Sequence, residues 1–367
     1  MPQSLIWIIG IVFASVLGLL CIWFFRPNRS NIHPDLRWEA WDVVDDDRHN
    51  AFTDLVAWKN AYYIAYRSAR SHLSHESKIV ICQSYHLKQW EKLAELSIED
   101  EDVRDPKLIV HDDQLILYAL KNRTRLIKNY TTVFSVSKDG EEWSEWQEVT
   151  PRGLIFWRPK RFKQSWFAVA FPFTQDEIQL LQSDDGKTWS VVSGIHDGLK
   201  HDEFEILFHS QDHVIGVARI NGRTSSDVIG STDSSIIATS RAPFQIWSIK
   251  QSDVTRLDGP VLFEYKDQVY AAGRFEPPTW LRKFNLIPRK RLSLFRVSES
   301  GLVYLSDLPS GGDCGYADVE INHKTLHLSY YTNRIDRDYP WILGQLLPTK
   351  IRMAQLDLDS LTTIGTG

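Results

Sequence analysis

DLVAWKNAYYIAYR, residues 54–67, joins a short apolar run, a polar Lys-Asn turn and a second run rich in aromatic side chains. The same phrase returns five times: PKLIVHDDQLILYAL at 106–120, PKRFKQSWFAVAFP at 159–172, FEILFHSQDHVIGVAR at 204–219, PVLFEYKDQVYAAGR at 260–274 and ADVEINHKTLHLSYY at 317–331. The starts are spaced by 52, 53, 45, 56 and 57 residues. A period of roughly 50 residues with strand-like contents is the signature of a radial β array. Each copy is followed by a second strand pair, opening at 78–84, 131–137, 177–183, 234–240, 291–297 and 350–357. Two hairpins per repeat make one four-stranded blade, so six copies predict an all-β, six-bladed β-propeller. Residues 36–44 (LRWEAWDVV) precede the first blade and are expected to supply the outer strand of the sixth, which would leave no open edge.

Composition agrees with one large globular unit: 43% of the residues are hydrophobic and 24% charged. A net charge of −5 gives no reason to expect nucleic acid. Nothing in the sequence calls for a cofactor or a metal. Residues 5–25 (LIWIIGIVFASVLGLLCIWFF) carry no charge, with Ser15 the one polar side chain and Trp7 and Trp23 near the two ends. As a helix this stretch would reach about 30 Å, the thickness of a hydrocarbon core. A cleaved signal peptide would want a basic start, a shorter core and a small-residue site, whereas residues 1–4 (MPQS) have no Lys or Arg. The expected organisation is a tail at 1–4, a single-pass transmembrane anchor at 5–25, a linker at 26–35, the propeller at 36–360 and a tail at 361–367. Arg26 and Arg29 follow the anchor and lean the propeller toward the cytoplasmic side by the positive-inside rule.

Three blades carry a sharper motif. Ser137-Lys-Asp-Gly-Glu-Glu-Trp143 and Ser183-Asp-Asp-Gly-Lys-Thr-Trp189 share S-x-D-G-x-x-W, and Ser84 and Trp90 keep the same separation. Asp accepts backbone hydrogen bonds, Gly tolerates positive φ and Trp packs the turn onto its blade, so these are structural turns between third and fourth strands. They are Asp boxes (BNR repeats). Two Asp boxes and a degenerate third on a six-fold repeat resemble the sialidase (neuraminidase) superfamily over about 48–357.

That resemblance implies a pocket at the end of the axis where the loops leading into each first strand gather. It also implies a Tyr nucleophile activated by a Glu, an acid/base Asp and three Arg that clamp a sugar carboxylate. Carried onto this sequence, Cys314-Gly-Tyr-Ala-Asp318 matches the nucleophile segment and makes Tyr316 the candidate. Glu203, sixteen residues before Arg219, matches the activating Glu and second Arg, with Glu205 the fallback. Arg274, Arg289 and Arg291 compete for the third Arg. The first blade departs from the pattern, because His49 lies nearest the position of the first Arg and the loop 68–77 (SARSHLSHES) has no Asp. His72, His75 or Glu76 would then serve as acid/base; a histidine with a pKa near roughly 6.5 is workable.

The expected site is Tyr316, Glu203 and His72 as catalytic residues, with His49, Arg67, Arg104, Asp105, Arg158, Arg219 and Arg274 around the substrate. Arg67, Arg219 and Arg274 close second strands at equivalent positions, so inter-blade salt bridges are their rival reading. The basic stretch 282–291 (RKFNLIPRKR) reads as a solvated loop. The expected function is a membrane-anchored, sialidase-like, exo-acting glycosidase whose partner is a carbohydrate or glycoconjugate, an anionic or polyhydroxylated sugar. The alternative is a non-catalytic glycan-binding or scaffold propeller.

Overall fold

A computed structural model describes residues 3–24, 26–123, 130–172, 177–196, 200–210, 212–221, 234–252, 254–277 and 288–365. Helix α1 (Gln3–Phe24) comes first, followed by β1 (Trp38–Val44). Blade one is β2 (His49–Trp58), β3 (Ala61–Ala69), β4 (Lys78–Ser84) and β5 (Glu91–Leu96). Blade two is β6 (Asp102–His111), β7 (Gln114–Asn122), β8 (Thr131–Ser137) and β9 (Gln147–Glu148). In blade three the first strand is split into β10 (Leu154–Phe156) and β11 (Lys160–Phe162), both paired to β12 (Ser165–Pro172), with β13 (Ile178–Ser183) and β14 (Ser190–His196) outside. Pro159, which has no N–H to give a ladder, sits in that break.

Blade four is β15 (Lys200–Phe208), β16 (His213–Asn221), β17 (Ser235–Arg241) and β18 (Trp247–Ser252). Blade five is β19 (Asp258–Tyr265), β20 (Gln268–Phe275), β21 (Arg291–Ser298) and β22 (Gly301–Asp307). Blade six takes β23 (Cys314–Asn322), β24 (Thr325–Thr332) and, after the one-turn helix α2 (Trp341–Gly344), β25 (Lys350–Asp357). Its fourth strand is β1, antiparallel to β25 from Trp38 opposite Leu356 to Val44 opposite Ile351. The two ends of the propeller thus meet in one sheet, as expected for residues 36–44. Helix α3 (Leu358–Ile364) follows, capped by the Asp357 carboxylate, which accepts from the Asp359 and Ser360 amides.

Strand alternation sends each blade's apolar side chains to its two neighbours. The result is six apolar clusters, one at each blade junction, rather than one central core. Ile64, Ile81, Leu117, Leu180, Ala218 and Leu294 are fully buried in them. Each large aliphatic side chain so buried contributes about 1.5–3 kcal/mol. The S-x-D-G-x-x-W turns lock neighbours together. Ser137 Oγ accepts from the Gly140 amide at 2.8 Å and Asp139 Oδ1 from Glu141 and Glu142 at 2.9 Å. Gly140 has φ +87°, and a Cβ there would lie 2.7 Å from Cε1 of Tyr63 in blade one. The turn therefore needs glycine for its conformation and for the neighbouring ring.

The expected apolar helix at the N-terminus forms as α1, whose exposed side chains include Trp7, Ile11, Phe13 and Leu19. Among the described residues, no helix is long and apolar enough to cross a membrane. Residues 282–287 of the basic stretch lie outside the described residues, as does the His201 side chain.

Candidate active site

Five of the six first strands slip register near their start: between Ala51 and Asp54, Arg104 and Lys107, His201 and Phe204, Asp258 and Val261, and Gly315 and Asp318. Such bulges re-aim side chains and recur beside functional sites. Here they place Phe52, Asp105, Gly259 and Tyr316 at φ +60°, +52°, +59° and +47°. For a bulky Phe or Tyr this is an uncommon, strained conformation that surrounding packing must hold. It brings residues of several blades together on the axis. The Phe52 ring meets Tyr316 edge-on with centroids 4.8 Å apart, and Trp157 does so at 6.1 Å. Gly259 completes the seat, since a Cβ there would lie 2.7 Å from Tyr316 Cγ.

Tyr316 and Glu203, 113 residues apart, are joined: the phenol donates to Glu203 Oε1. The other Glu203 oxygen accepts the Gly259 amide at 2.6 Å, and Arg219 Nη1 lies 2.8 Å from Oε1. Burial, then the neighbouring Glu203 charge, pushes the Tyr316 pKa well above its usual value. The phenol is therefore neutral at pH 7 and its proton lies on the hydrogen bond to Glu203.

The second feature is Asp313, which is fully buried. Oδ1 accepts from Arg274 Nη1 at 3.1 Å, Tyr331 Oη at 3.0 Å and Trp341 Nε1 at 2.9 Å. Oδ2 faces His72 Nδ1 at 2.7 Å and His49 Nε2 at 3.1 Å. Burial would raise the Asp313 carboxyl, but His72 and His49 outweigh it and hold the pKa well below the ordinary range. An ionised carboxylate only accepts, so both rings must donate their facing N–H. That leaves a lone pair on His72 Nε2. Burial, opposed by Asp313, lowers the His72 pKa to about 4, so His72 is a neutral imidazole at pH 7. Its ring packs edge-on against Phe52 at 5.5 Å, the same ring that seats Tyr316.

The loop bearing His72 is pinned from beneath. The Arg67 guanidinium, fully buried, donates to the Ser71 and Ser74 carbonyls at 3.4 and 2.9 Å and to Asp102 at 2.8 Å. Arg104 binds Asp102 at 2.6 Å through Nε and donates to the His72 carbonyl at 3.4 Å. His49, Arg67 and Arg104 are thus placed to position His72. Asp105 is half-buried, burial pushes its pKa up, and its Oδ1 has no hydrogen-bond partner. Arg158 lies under Tyr316, donating to the Ala317 carbonyl at 3.3 Å, and is surrounded by Asp54 at 3.0 Å, Asp318 at 2.9 Å and Glu205 at 3.8 Å.

Arg274 spans Asp258 and Asp313, at 3.1 Å to each, with its guanidinium 5.1 Å from the Tyr316 ring centre. Of its rivals for the third Arg, Arg291 binds Asp338 at 2.8 Å and Arg289 stacks on Trp23 at 4.4 Å. Asp258, Asp313 and Phe52 complete the arrangement, and no sequence motif singles them out. Positive φ at aromatic positions is not written in composition or spacing.

His49, His72 and Asp313 are also the one group among the described residues whose donor atoms converge as a metal site would. The same Asp313 carboxylate is, however, engaged by Arg274, Tyr331 and Trp341. The cluster reads as a hydrogen-bonded triad. A separate groove lined by Asp42, Asp45, Arg334, Asp336, Lys350 and Arg352 lies apart from these groups, and its charges pair among themselves, as Lys350 does with Asp42 at 2.8 Å and Asp45 at 2.7 Å.

Solved structures share this architecture. Trypanosoma rangeli sialidase in complex with sialic acid superposes with a TM-score of 0.63 at 11% identity, over 92% of this chain and 61% of that one. The phage phi92 endosialidase gives 0.64 at 9% identity, over 88% and 69%. The Hadza microbial sialidase Hz136 gives 0.59 at 13% identity, over 85% and 66%. The chain shares the six-bladed propeller fold of these sialidases. It spans about six-tenths of the length of the Trypanosoma rangeli enzyme. No protein-family profile and no curated sequence matches it.

Proposed function

We propose that the axial site is the centre of an exo-acting glycosidase in which Tyr316 is the nucleophile, Glu203 its base and His72 the acid/base. The observation that carries this reading is the Tyr316–Glu203 hydrogen bond beside an oriented His72–Asp313 pair, all seated on Phe52. In the first step Glu203 takes the phenol proton, Tyr316 Oη bonds to the anomeric carbon, and protonated His72 gives its Nε2 proton to the departing glycosidic oxygen. In the second, neutral His72 takes a proton from water, whose oxygen displaces Tyr316, and Glu203 returns the proton to the phenolate. Asp313 holds the imidazole tautomer, the role a carboxylate plays behind any catalytic histidine.

A panel of aryl glycosides, assayed with the full chain and with Tyr316→Phe and Glu203→Gln, tests this. Turnover lost in both variants supports it, and absence of turnover across the panel by the parent chain sinks it. Non-catalytic glycan binding is the second reading, favoured by the low exposure of Tyr316 and Glu203, 7% and 8%.

The membrane anchor belongs to the same proposal. It rests on the uncharged run at 5–25 and on the outward apolar side chains of α1, Phe13 being 68% exposed and Ile11 63%. Resistance of the full chain to alkaline carbonate extraction is expected; release into the supernatant would remove this part.

A further inference from the structure

We propose that the sugar unit bound against Tyr316 is uncharged, because the arginines that would clamp a carboxylate there are already committed to carboxylates of the chain itself. This rests on the glycan-active reading above and narrows it to a neutral, polyhydroxylated substrate.

Asp258 is the central observation. It is 1% exposed and is held by Arg256 Nε at 2.7 Å, Arg274 Nη2 at 3.1 Å and Arg219 Nη1 at 3.6 Å. Burial alone would raise its carboxyl, yet Arg256, Arg274 and Arg219 bring it well below the ordinary range. A carboxylate set among three guanidiniums is what an acidic sugar would supply on binding, and here the chain supplies it.

The repeat furnishes an internal control. Arg67, Arg219 and Arg274 each end the second strand of a blade and each pairs with an Asp at the leading edge of the next: Arg67 with Asp102, Arg219 with Asp258, Arg274 with Asp313. In the first copy the arginine is wholly buried, so the pair is a clasp between blades and not a ligand site. The other two copies repeat that clasp at the edge of the candidate site.

Charge accounting agrees. Around Tyr316, Arg219, Arg256 and Arg274 face Glu203, Asp258 and Asp313, while Arg67 and Arg104 face Asp102 and Asp105. Lys290 is bound to Glu276 at 2.5 Å. Each of these cations has a carboxylate partner. An anion entering it would lose hydration without gaining a counter-charge, which is costly in a buried setting. Among the described residues, His72 Nε2 and Asp105 Oδ1 are open acceptors beside Tyr316. Acceptors call for hydroxyl donors.

The test titrates the full chain with the methyl α-glycoside of N-acetylneuraminic acid and with its C1 carboxamide, a pair that differs only in charge. The parent chain is expected to show no preference for the acid. Asp258→Asn, which frees the guanidiniums, is expected to favour the acid tenfold or more, including where the parent binds neither compound. A tenfold preference for the acid in the parent chain overturns the proposal, and so does an Asp258→Asn variant that folds and gains nothing. Where the parent binds either compound its comparison decides without the variant, so a misfolded Asp258→Asn then still leaves a decision. The glycosidase reading fails separately, if Tyr316→Phe leaves glycoside turnover intact, whatever the charge preference.

Discussion

Replacing Arg158 by Met should destabilise the propeller by an amount that depends on pH. Arg158 is 5% exposed and stands between Asp54, Asp318 and Glu205, which come from blades one, six and four. Lys107, 3.9 Å from Asp54, and Lys160, 2.7 Å from Glu205, only partly share the load. Methionine fills much of the volume and strands the carboxylates, and breaking a buried ion pair from one side costs about 3–5 kcal/mol. For a chain of this size, at roughly 2 °C per kcal/mol, Tm should fall by about 6–10 °C. The sign with pH follows from Asp54, whose carboxyl is raised from 3.8 to about 7 by burial and by Asp318, against the pull of Arg158. The folded state therefore binds this proton more tightly than the unfolded chain, so its contribution to stability falls as pH rises from 3.8 to about 7. Without Arg158 the folded pKa climbs further, and the Tm loss should be larger at pH 8 than at pH 5. Scanning fluorimetry of the full chain in mild detergent reads both values. An equal loss at the two pH values, or a loss under about 2 °C, would refute the assignment of Arg158 as the neutralising hub.

Three further outcomes are expected. His72 must be protonated to release the leaving group and its pKa is lowered to about 4, so kcat/KM should rise as pH falls through 6 and 5, and His72→Gln should cut turnover by about 10²–10⁴ and abolish that acid limb. Gly259→Ala should displace Tyr316, because the new Cβ falls 2.7 Å from Cγ and the backbone stands at φ +59°; a stability loss of about 1–3 kcal/mol with loss of turnover is expected, and an unperturbed crystallographic Tyr316 position would contradict it. Asp313→Asn removes the charge that fixes both histidine tautomers, so the imidazole proton signals of His49 and His72 in NMR spectra should shift together; a change in only one would argue against a shared carboxylate.

The sequence made the propeller legible because alternation and turns act within fifteen residues. The expected strands at 78–84, 131–137 and 350–357 coincide with β4, β8 and β25. Residues 36–44 could be assigned to blade six because a propeller with one strand too few at its end has a single place for a spare strand at its start. The candidate site was legible at Tyr316 and Glu203, where a family motif marks it, and at His49 and His72, where the sequence departs from that motif. Asp313 reaches His49 and His72 across 264 and 241 residues, and no local spacing encodes such a meeting. The arginines illustrate the opposite difficulty. Arg158 and Arg67 resemble ligand-clamping residues in one dimension, while in three each guanidinium lies against carboxylates of other blades. Phe52 is turned toward Tyr316 by a bulge that local sequence does not reveal.

The closure of blade six by β1 has a consequence for synthesis. Strand β1 leaves the ribosome first, yet its partner β25 is among the last segments made, roughly 300 residues later; at 5–20 residues per second β1 waits on the order of 15–60 s. During that interval Trp38 and Trp41 belong to a strand with no neighbour, and blade six cannot exist at all. The ring is thus completed only after translation has nearly finished, in a single late zippering event. A nascent chain stalled before residue 350 should be a protease-sensitive open arc rather than a smaller propeller.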